Sequence, residues 1–192
     1  MGDNQYRQLG DGTTVDKISP NFVDFGTGRY AVDIESGHLH TCALLDNGSV
    51  SCWGYNNYGQ LGLGNTANNG IPTYVPVPSG RHVASLGIGK HHSCFVYDNG
   101  DVACTGRNQQ GQLGIGSTTQ KTSLTATQSL GNPAIKVVAG EYFSCALLNN
   151  GSVRCWGDNP YGQLGINTNI DSPSPASSVH FETGSFAVDL TS

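Results

Sequence analysis

The sequence predicts an all-β protein built from repeated units of about 50 residues. A signature of the form Gly-x-Asn-x-x-Gly-Gln-Leu-Gly recurs, with Arg7 replacing the middle glycine in the first copy. Its first glycine stands at residues 2, 54, 106 and 157, so the copies are 52, 52 and 51 residues apart. A fixed period of this length is typical of stacked or radially arranged supersecondary units. The 192 residues include 27 glycines and only 12% charged residues, which is typical of many short strands joined by turns.

Each repeat divides into four short strands. In the copy that covers residues 30–79, the alternation of apolar and polar residues predicts a first strand over 30–35. Further strands are expected over 40–45, 49–53 and 73–78. The fourth contains Pro76 and Pro78, which lack a backbone donor, so we expect it at the edge of its sheet.

The turn between the second and third strands fixes how the cysteines pair. A three-residue loop with glycine in the left-handed region predicts that Leu45 pairs with Ser49, so that Cys42 faces Cys52. Opposed strand residues have Cα atoms about 4.5–5.5 Å apart, within the span of a disulfide. We therefore predict three disulfides, with three pairs of buried thiols as the alternative. The predicted pairs are Cys42–Cys52, Cys94–Cys104 and Cys145–Cys155.

Composition and charge restrict the cellular compartment and the classes of partner that we expect. Persistent disulfides indicate an oxidising compartment, so we predict an extracellular or periplasmic protein. The net charge is −5 and no more than two basic residues are adjacent, so we expect no nucleic-acid partner. No apolar run approaches the roughly 20 residues that cross a bilayer, so no membrane span is expected. Because Met1 stands where Trp53 stands in a later copy, we interpret the chain, which has no signal sequence, as a segment of a longer protein.

The repeat resembles that of the regulator-of-chromosome-condensation family, the RCC1-like proteins. The matching elements are a Gly-x-x-His-(Ser/Thr)-Cys-Ala-Leu strand, an Asn-Gly turn, a Val-x-Cys-Trp-Gly strand and the Gly-Gln-Leu-Gly loop. They cover nearly the whole chain in about 3.7 copies. The cysteine pair in each repeat is similar to the bacterial or archaeal extracytoplasmic branch of the family.

This resemblance implies a β-propeller, usually of seven blades, of which the chain would supply about half a ring. We expect one partial propeller domain over 1–192, with three full repeats over 30–79, 80–131 and 132–182 and partial ones over 1–29 and 183–192. A half-ring exposes a strand edge at each end, so we expect a homodimer or a higher assembly through these edges. The copies depart from the pattern at Thr105, Gln110 and Phe143, which replace Trp, Tyr and His.

Histidines and cysteines lie close together, but the pattern does not favour a metal or a cofactor. The paired cysteines are ten positions apart and the third copy has Phe143 instead of histidine, whereas a structural zinc site requires four closely spaced ligands. We interpret His40 and His92 as residues whose rings hydrogen-bond the backbone of the neighbouring blade. No Gly-x-Ser-x-Gly marks a catalytic serine, so we predict no catalytic residues and no enzyme.

Two of the hairpin turns match a modification signal. The segments 47–49 and 150–152 read Asn-Gly-Ser, the acceptor pattern for N-glycosylation. The turn alone accounts for both asparagines, so we interpret the match as a coincidence unless the source is eukaryotic and secretory.

The loops that follow the signature contain the candidate recognition residues. The signature leucines (Leu9, Leu61, Leu113 and Leu164) are expected to plug between blades, whereas the following loops differ between copies. Loops without a packing role are where recognition usually lies. The candidates are Asn65, Asn68, Asn69, Thr118, Gln120, Lys121, Asn167, Asn169 and Asp171.

The favoured function is a non-catalytic module that binds another protein or a glycan. One alternative is a guanine-nucleotide exchange factor or another regulator of the family's nuclear kind. Another is a purely architectural repeat of a cell-surface protein. An interaction module predicts side-chain variety concentrated on one face, and an architectural repeat predicts none.

Overall fold

Short antiparallel sheets account for all the regular structure of the described chain. The computed structural model describes residues 1–175, 178–179, 181 and 185–191. Within these residues there are eleven strands and no helix. The strands are β1 (Ala31–Ser36), β2 (His40–Leu45), β3 (Val50–Gly54), β4 (Asn69–Tyr74), β5 (Val83–Ile88), β6 (His92–Tyr97), β7 (Val102–Gly106), β8 (Lys121–Ala126), β9 (Ala134–Ala139), β10 (Phe143–Leu148) and β11 (Val153–Gly157).

The strands form three blades. The first blade has the order β1-β2-β3-β4, the second β5-β6-β7-β8, and the third β9-β10-β11. Isolated bridges from Arg154 to Ser178 and from Gly157 to Ser172 occupy the places of the β3–β4 pairs in the third blade. The all-β, partial-propeller prediction is therefore confirmed, although the expected repeat over 183–192 lies partly outside the described residues.

The hairpin turns confirm the predicted cysteine pairing. Gly48, Gly100 and Gly151 have φ angles of 76°, 83° and 79°, the left-handed region that glycine adopts without strain. The Leu45 amide donates to the Ser49 carbonyl at 2.9 Å, which sets the register. All three predicted disulfides are present, with Cα–Cα distances of 4.2, 4.1 and 4.1 Å. In the chain-entropy account, each such short loop stabilises the fold by about 2–3 kcal/mol.

The fourth strand of the first blade was predicted four residues too late. It covers Asn69–Tyr74 rather than 73–78, because Asn69 pairs with Gly54 where β3 ends. Pro76 and Pro78 follow the strand instead of forming it. Pro72 lies within β4, where its missing donor costs little, because β4 is the outer strand of its sheet. The predicted edge position is thus confirmed.

The core lies between the blades. Leu61 packs with Cys42 and Val50 of the first blade and with Leu86 and Phe95 of the second. Leu113 and Leu164 hold the corresponding positions further along, and all three side chains have no exposed surface. Leu9 of the first signature copy is half-buried. The signature leucines are therefore packing residues, as predicted.

Candidate interaction face

At one end of the strands, the turns of the three blades form a common surface, which we call the axial face. Between blades, β1 packs on β5 and β5 packs on β9, so the first strands line the inner side of the ring. The axial face comprises the turns 37–39, 89–91 and 140–142 after the first strands, and the segments 55–58, 107–110 and 158–161 after the third. The hairpin turns at residues 46–48 and their equivalents lie at the opposite ends of the blades.

Buried histidines support this face from below. The Nε2 atom of His40 lies 3.0 Å from the Ser93 hydroxyl of the next blade, and that hydroxyl donates to the Gln60 carbonyl at 2.8 Å. Because the serine proton is used in that second bond, the His40 Nε2–H is the donor to the serine. For His40, the expected bond from the ring to the backbone of the neighbouring blade is therefore wrong. The ring bonds the Ser93 side chain instead, and Ser93 bonds the backbone of Gln60 in the repeat that holds His40.

The same arrangement joins the second and third blades. His92 Nε2 lies 2.9 Å from the Ser144 hydroxyl, which donates to the Gln112 carbonyl at 3.0 Å. Burial, the largest cause, lowers the pKa of both His40 and His92 to about 3. Both rings are therefore neutral over the physiological pH range, and each joins two neighbouring blades by a hydrogen bond.

The asparagine of each signature anchors the loop that follows it. Asn56 has no exposed surface, and its Oδ1 accepts from the Leu61 amide at 3.0 Å. Its Nδ2 donates to the Asn65 and Ala67 carbonyls at 3.1 and 3.0 Å. Asn108 and Asn159 make the equivalent bonds. This role was not predicted from the sequence, although the residue stands in all four copies of the signature.

Three candidate recognition residues stabilise their own loops. Asn65 Oδ1 accepts from the Ala67 amide at 3.0 Å, and Asn68 Oδ1 accepts from the Asn56 amide at 2.8 Å. Asp171 Oδ1 makes the corresponding bond to the Asn159 amide at 2.8 Å. These three side chains are exposed, but they also have a folding role that was not predicted from the sequence.

The other candidates lie beside the outer strands. Asn69 and Lys121 begin β4 and β8, where Asn69 Nδ2 donates to Thr73 Oγ1 at 2.6 Å. Asn167 has a φ of 60°, which is uncommon outside glycine. Thr118, Gln120, Asn167 and Asn169 are exposed. Because Asn69 pairs with Gly54 at the axial end of β3, the first loop lies at the outer rim of the axial face.

An arginine between two tyrosines lies on the axial face. The Arg107 guanidinium carbon lies 5.7 Å from the centroid of the Tyr58 ring and 4.8 Å from that of Tyr142. The His91 ring lies 5.0 Å from Tyr58 and 5.8 Å from Tyr55. We call these five residues the Arg107 cluster. It joins side chains of all three blades, because Tyr55 and Tyr58 follow β3, Arg107 follows β7, and His91 and Tyr142 precede β6 and β10.

Charges of both signs surround the cluster. Lys90 forms an ion pair with Glu141, and its ammonium lies 5.2 Å from the Tyr142 ring centroid. The hydrogen bond between them raises the pKa of Lys90 and lowers that of Glu141. Burial, and then the Arg107 charge, lowers the pKa of His91 to about 4, so this ring is neutral at neutral pH. Arg107 is therefore the cation at the centre of a largely aromatic surface.

The exposed side chains of the axial face differ from blade to blade, whereas the residues beneath them repeat. The second turn position holds His38, Lys90 or Glu141, and the position after the third strand holds Tyr55, Arg107 or Asp158. These substitutions stand next to glycines and cysteine strands that repeat in every copy. This variation was not predicted from the sequence, although it is visible when the three copies are aligned.

Across residues 1–175 and the later described segments, no group of three or more His, Cys, Asp or Glu side chains could hold a metal ion. No helix of the described chain is long and apolar enough to cross a membrane.

The blades, the signature loops and the hairpin cysteines define the class of protein as an RCC1-type repeat propeller. The chain belongs to the Regulator of chromosome condensation (RCC1) repeat family, whose sequence model matches residues 1–44, 47–96 and 99–147. A second model of the same repeat matches residues 31–60, 83–112 and 134–163. The resemblance noted in the sequence is thereby confirmed.

Two relatives show how much of a longer protein the chain resembles. It is 31% identical over 175 residues to the ultraviolet-B receptor UVR8 of Arabidopsis thaliana, covering 91% of this chain and 40% of UVR8. It is 32% identical over 144 residues to the X-linked retinitis pigmentosa GTPase regulator of Canis lupus familiaris, covering 73% of this chain and 14% of that protein. The chain therefore spans less than half of either relative.

The fold is shared with solved propellers. The structure of yeast RCC1 (Prp20) bound to Kap60 superposes with a TM-score of 0.79, covering 95% of this chain and 44% of that one. The sequence identity is 24%, so this likeness shows the fold alone.

Proposed function

We propose that the chain is a non-catalytic protein-interaction module whose axial face binds the partner. The observation that carries the proposal is the concentration of side-chain variety on this face, where His38, Lys90 and Glu141 occupy one repeat position. A purely architectural repeat gives no reason for that position to differ between blades. The named relatives, a receptor and a GTPase regulator, support a binding or regulatory role for the family.

The Arg107 cluster has the chemistry of an interaction hot spot. Tyrosine and arginine are enriched among the residues that dominate binding energy at protein interfaces. Tyr58 and Tyr142 hold the guanidinium in place before a partner arrives, which lowers the side-chain entropy that binding would cost. We expect the partner to present a carboxylate to Arg107 and apolar surface to the tyrosine rings.

The candidate recognition loops would extend this contact outwards. Thr118, Gln120 and Asn169 are exposed and differ between copies, so they would select among partners at the rim. A glycan on the partner would meet these polar residues rather than the aromatic centre. We place the interaction outside the cytoplasm, because three disulfides persist only under oxidising conditions.

Two matched arginine variants test the proposal. Arg107→Ala removes the central cation, and Arg81→Ala removes an arginine whose ion pair with Asp98 lies on the opposite face. Each protein, immobilised and cross-linked to material from its native source, is compared with the unsubstituted chain by quantitative mass spectrometry. We expect a partner that Arg81→Ala retains and Arg107→Ala loses by about tenfold. Equal retention by both variants would refute the axial face as the binding surface.

The exchange-factor alternative is tested with the same partners. If a captured partner is a small GTPase, its rate of nucleotide release is measured with and without the chain. Acceleration of release that depends on Arg107 would replace the non-catalytic module with an exchange factor.

We further infer that the open ends of the half-ring pair with a second copy. Ile34 of β1 holds the register position of Leu86 and Val137, which are 1% and 0% exposed, but it is 56% exposed itself. In the second blade this position is buried against residues of the preceding blade, whereas in the first blade it is uncovered. A second copy brings the same kind of blade surface, so it is the occupant that fits.

A further inference from the structure

The three hairpin turns on the face opposite the axial face are equivalent, but they differ at the residue that follows the glycine. Each turn contains an exposed asparagine followed by a left-handed glycine. The next residue is Ser49 in the first blade and Ser152 in the third, but Asp101 in the second. The chain therefore carries two acceptor tripeptides and one natural counterpart without the hydroxyl.

The serine hydroxyl leaves the asparagine amide nitrogen open. Asn47 Oδ1 accepts from the Ser49 amide at 3.1 Å and from the Ser49 hydroxyl at 2.7 Å. Asn150 makes the same two bonds with Ser152 at the same distances. Both bonds use only the carboxamide oxygen, and within the described residues no protein atom accepts a hydrogen bond from the Nδ2 of Asn47 or Asn150.

The middle turn is arranged differently. Asn99 Nδ2 donates to the Asp101 carboxylate at 2.7 Å, so its amide nitrogen is engaged rather than open. Asp101 also lacks the hydroxyl with which Ser49 and Ser152 donate to the carboxamide oxygen. The second blade thus provides the matched turn in which the chemistry is blocked.

We propose that Asn47 and Asn150 are N-glycosylation sites that accept an oligosaccharide from a polyprenyl diphosphate donor. The Nδ2 atom attacks C1 of the first sugar and loses one proton to a base of the transferring enzyme as the new C–N bond forms. The C1–O bond to the diphosphate breaks, and the polyprenyl diphosphate leaves with the electron pair. The serine hydroxyl, by donating to Oδ1, polarises the carboxamide and makes the Nδ2 protons more acidic.

The fold accommodates a glycan at both positions. Sugars are added to a chain that is still folding, so the folded protein must leave room for them. Asn47 and Asn150 are exposed at the tips of their hairpins, away from the cores between the blades. The disulfides require the oxidising conditions that prevail where such transfer occurs in secretory cells. The glycans would stand on the face opposite the Arg107 cluster, so this inference does not depend on the proposed function.

The test is cell-free translation with endoplasmic-reticulum microsomes. The full chain follows a cleavable signal peptide and carries a C-terminal acceptor tag, and only molecules glycosylated on the tag are scored, since these have reached the lumen. We expect two further mobility steps, both removed by peptide N-glycosidase, with Asn47 and Asn150 converted to aspartate in the peptide masses. Ser49→Ala and Ser152→Ala should each remove one step, and Asp101→Ser should add a third at Asn99.

Two results would overturn the inference. The first is that tag-glycosylated molecules carry no glycan at Asn47 or Asn150. The second is that the steps persist when Ser49→Ala and Ser152→Ala are combined, which would assign the glycans to other residues.

Discussion

Buried histidines at blade junctions make the fold sensitive to acid. His40 and His92 are 1% and 0% exposed, and burial lowers the pKa of each from 6.5 to about 3. Above pH 6.5 each ring is neutral in both the folded and the unfolded state, so its full contribution to stability is present. Below pH 6.5 each histidine binds a proton in the unfolded chain but stays unprotonated in the folded protein. The free energy of unfolding therefore falls as the pH is lowered to about 3.

The third blade suggests the variant that tests this pH dependence. Phe143 occupies the equivalent position, so His40→Phe with His92→Phe should retain the fold while removing both titrating rings. We expect the unsubstituted protein to lose about 2 kcal/mol more per histidine than the variant between pH 7 and pH 5. Carboxylates titrate mainly below this window. Urea unfolding at both pH values measures the difference, and identical losses in the two proteins would contradict the pKa assignment.

At the scale of single elements, the hairpins could be predicted and the outer strands could not. An Asp-Asn-Gly or Asn-Asn-Gly turn fixes the register locally, so the pairing of Cys94 with Cys104 follows by counting from the turn. The start of β4 depends on the end of β3, after a 14-residue connection whose path the buried Asn56 determines. No local pattern reports that path, which is why the fourth strand was placed too late.

Adjacent asparagines in the signature loop test this element. Asn56 is buried and joins Leu61 to the Asn65 and Ala67 carbonyls, whereas its neighbour Asn57 is exposed. Asn56→Ala leaves a buried amide and two carbonyls without their partner, so we expect a loss of about 3 kcal/mol in the free energy of unfolding. Asn57→Ala should change it by less than about 0.5 kcal/mol. Chemical denaturation of both variants measures the two losses, and comparable values would mean that Asn56 does not anchor the loop.

At the scale of the whole molecule, the repeat predicted the propeller but not the axial face. The period and the signature are properties of one copy, so they were visible in the chain. The Arg107 cluster draws Tyr58, Arg107 and Tyr142 from three successive blades, and their proximity depends on how the blades pack. A surface composed in this way is recognised only when the ring geometry is known. The residues that repeat best form the scaffold, and the residues that vary on the axial face are the ones we assign to binding.

The uncovered surface of the first blade, around Ile34, leads us to expect that the chain associates with a second copy. Ile34 and Ile71 are both 56% exposed, but only Ile34 occupies a position that the other blades bury against a neighbour. Ile34→Lys should therefore weaken self-association, whereas Ile71→Lys, on the outer strand β4, should leave it unchanged. We expect the sedimentation-derived mass of the unsubstituted chain to rise above the 20.1 kDa monomer with concentration. Ile34→Lys should remain near the monomer mass, since a lysine ammonium buried in an apolar contact pays a large desolvation cost. A chain that stays monomeric at every concentration would show that its uncovered blade surface does not pair with a second copy.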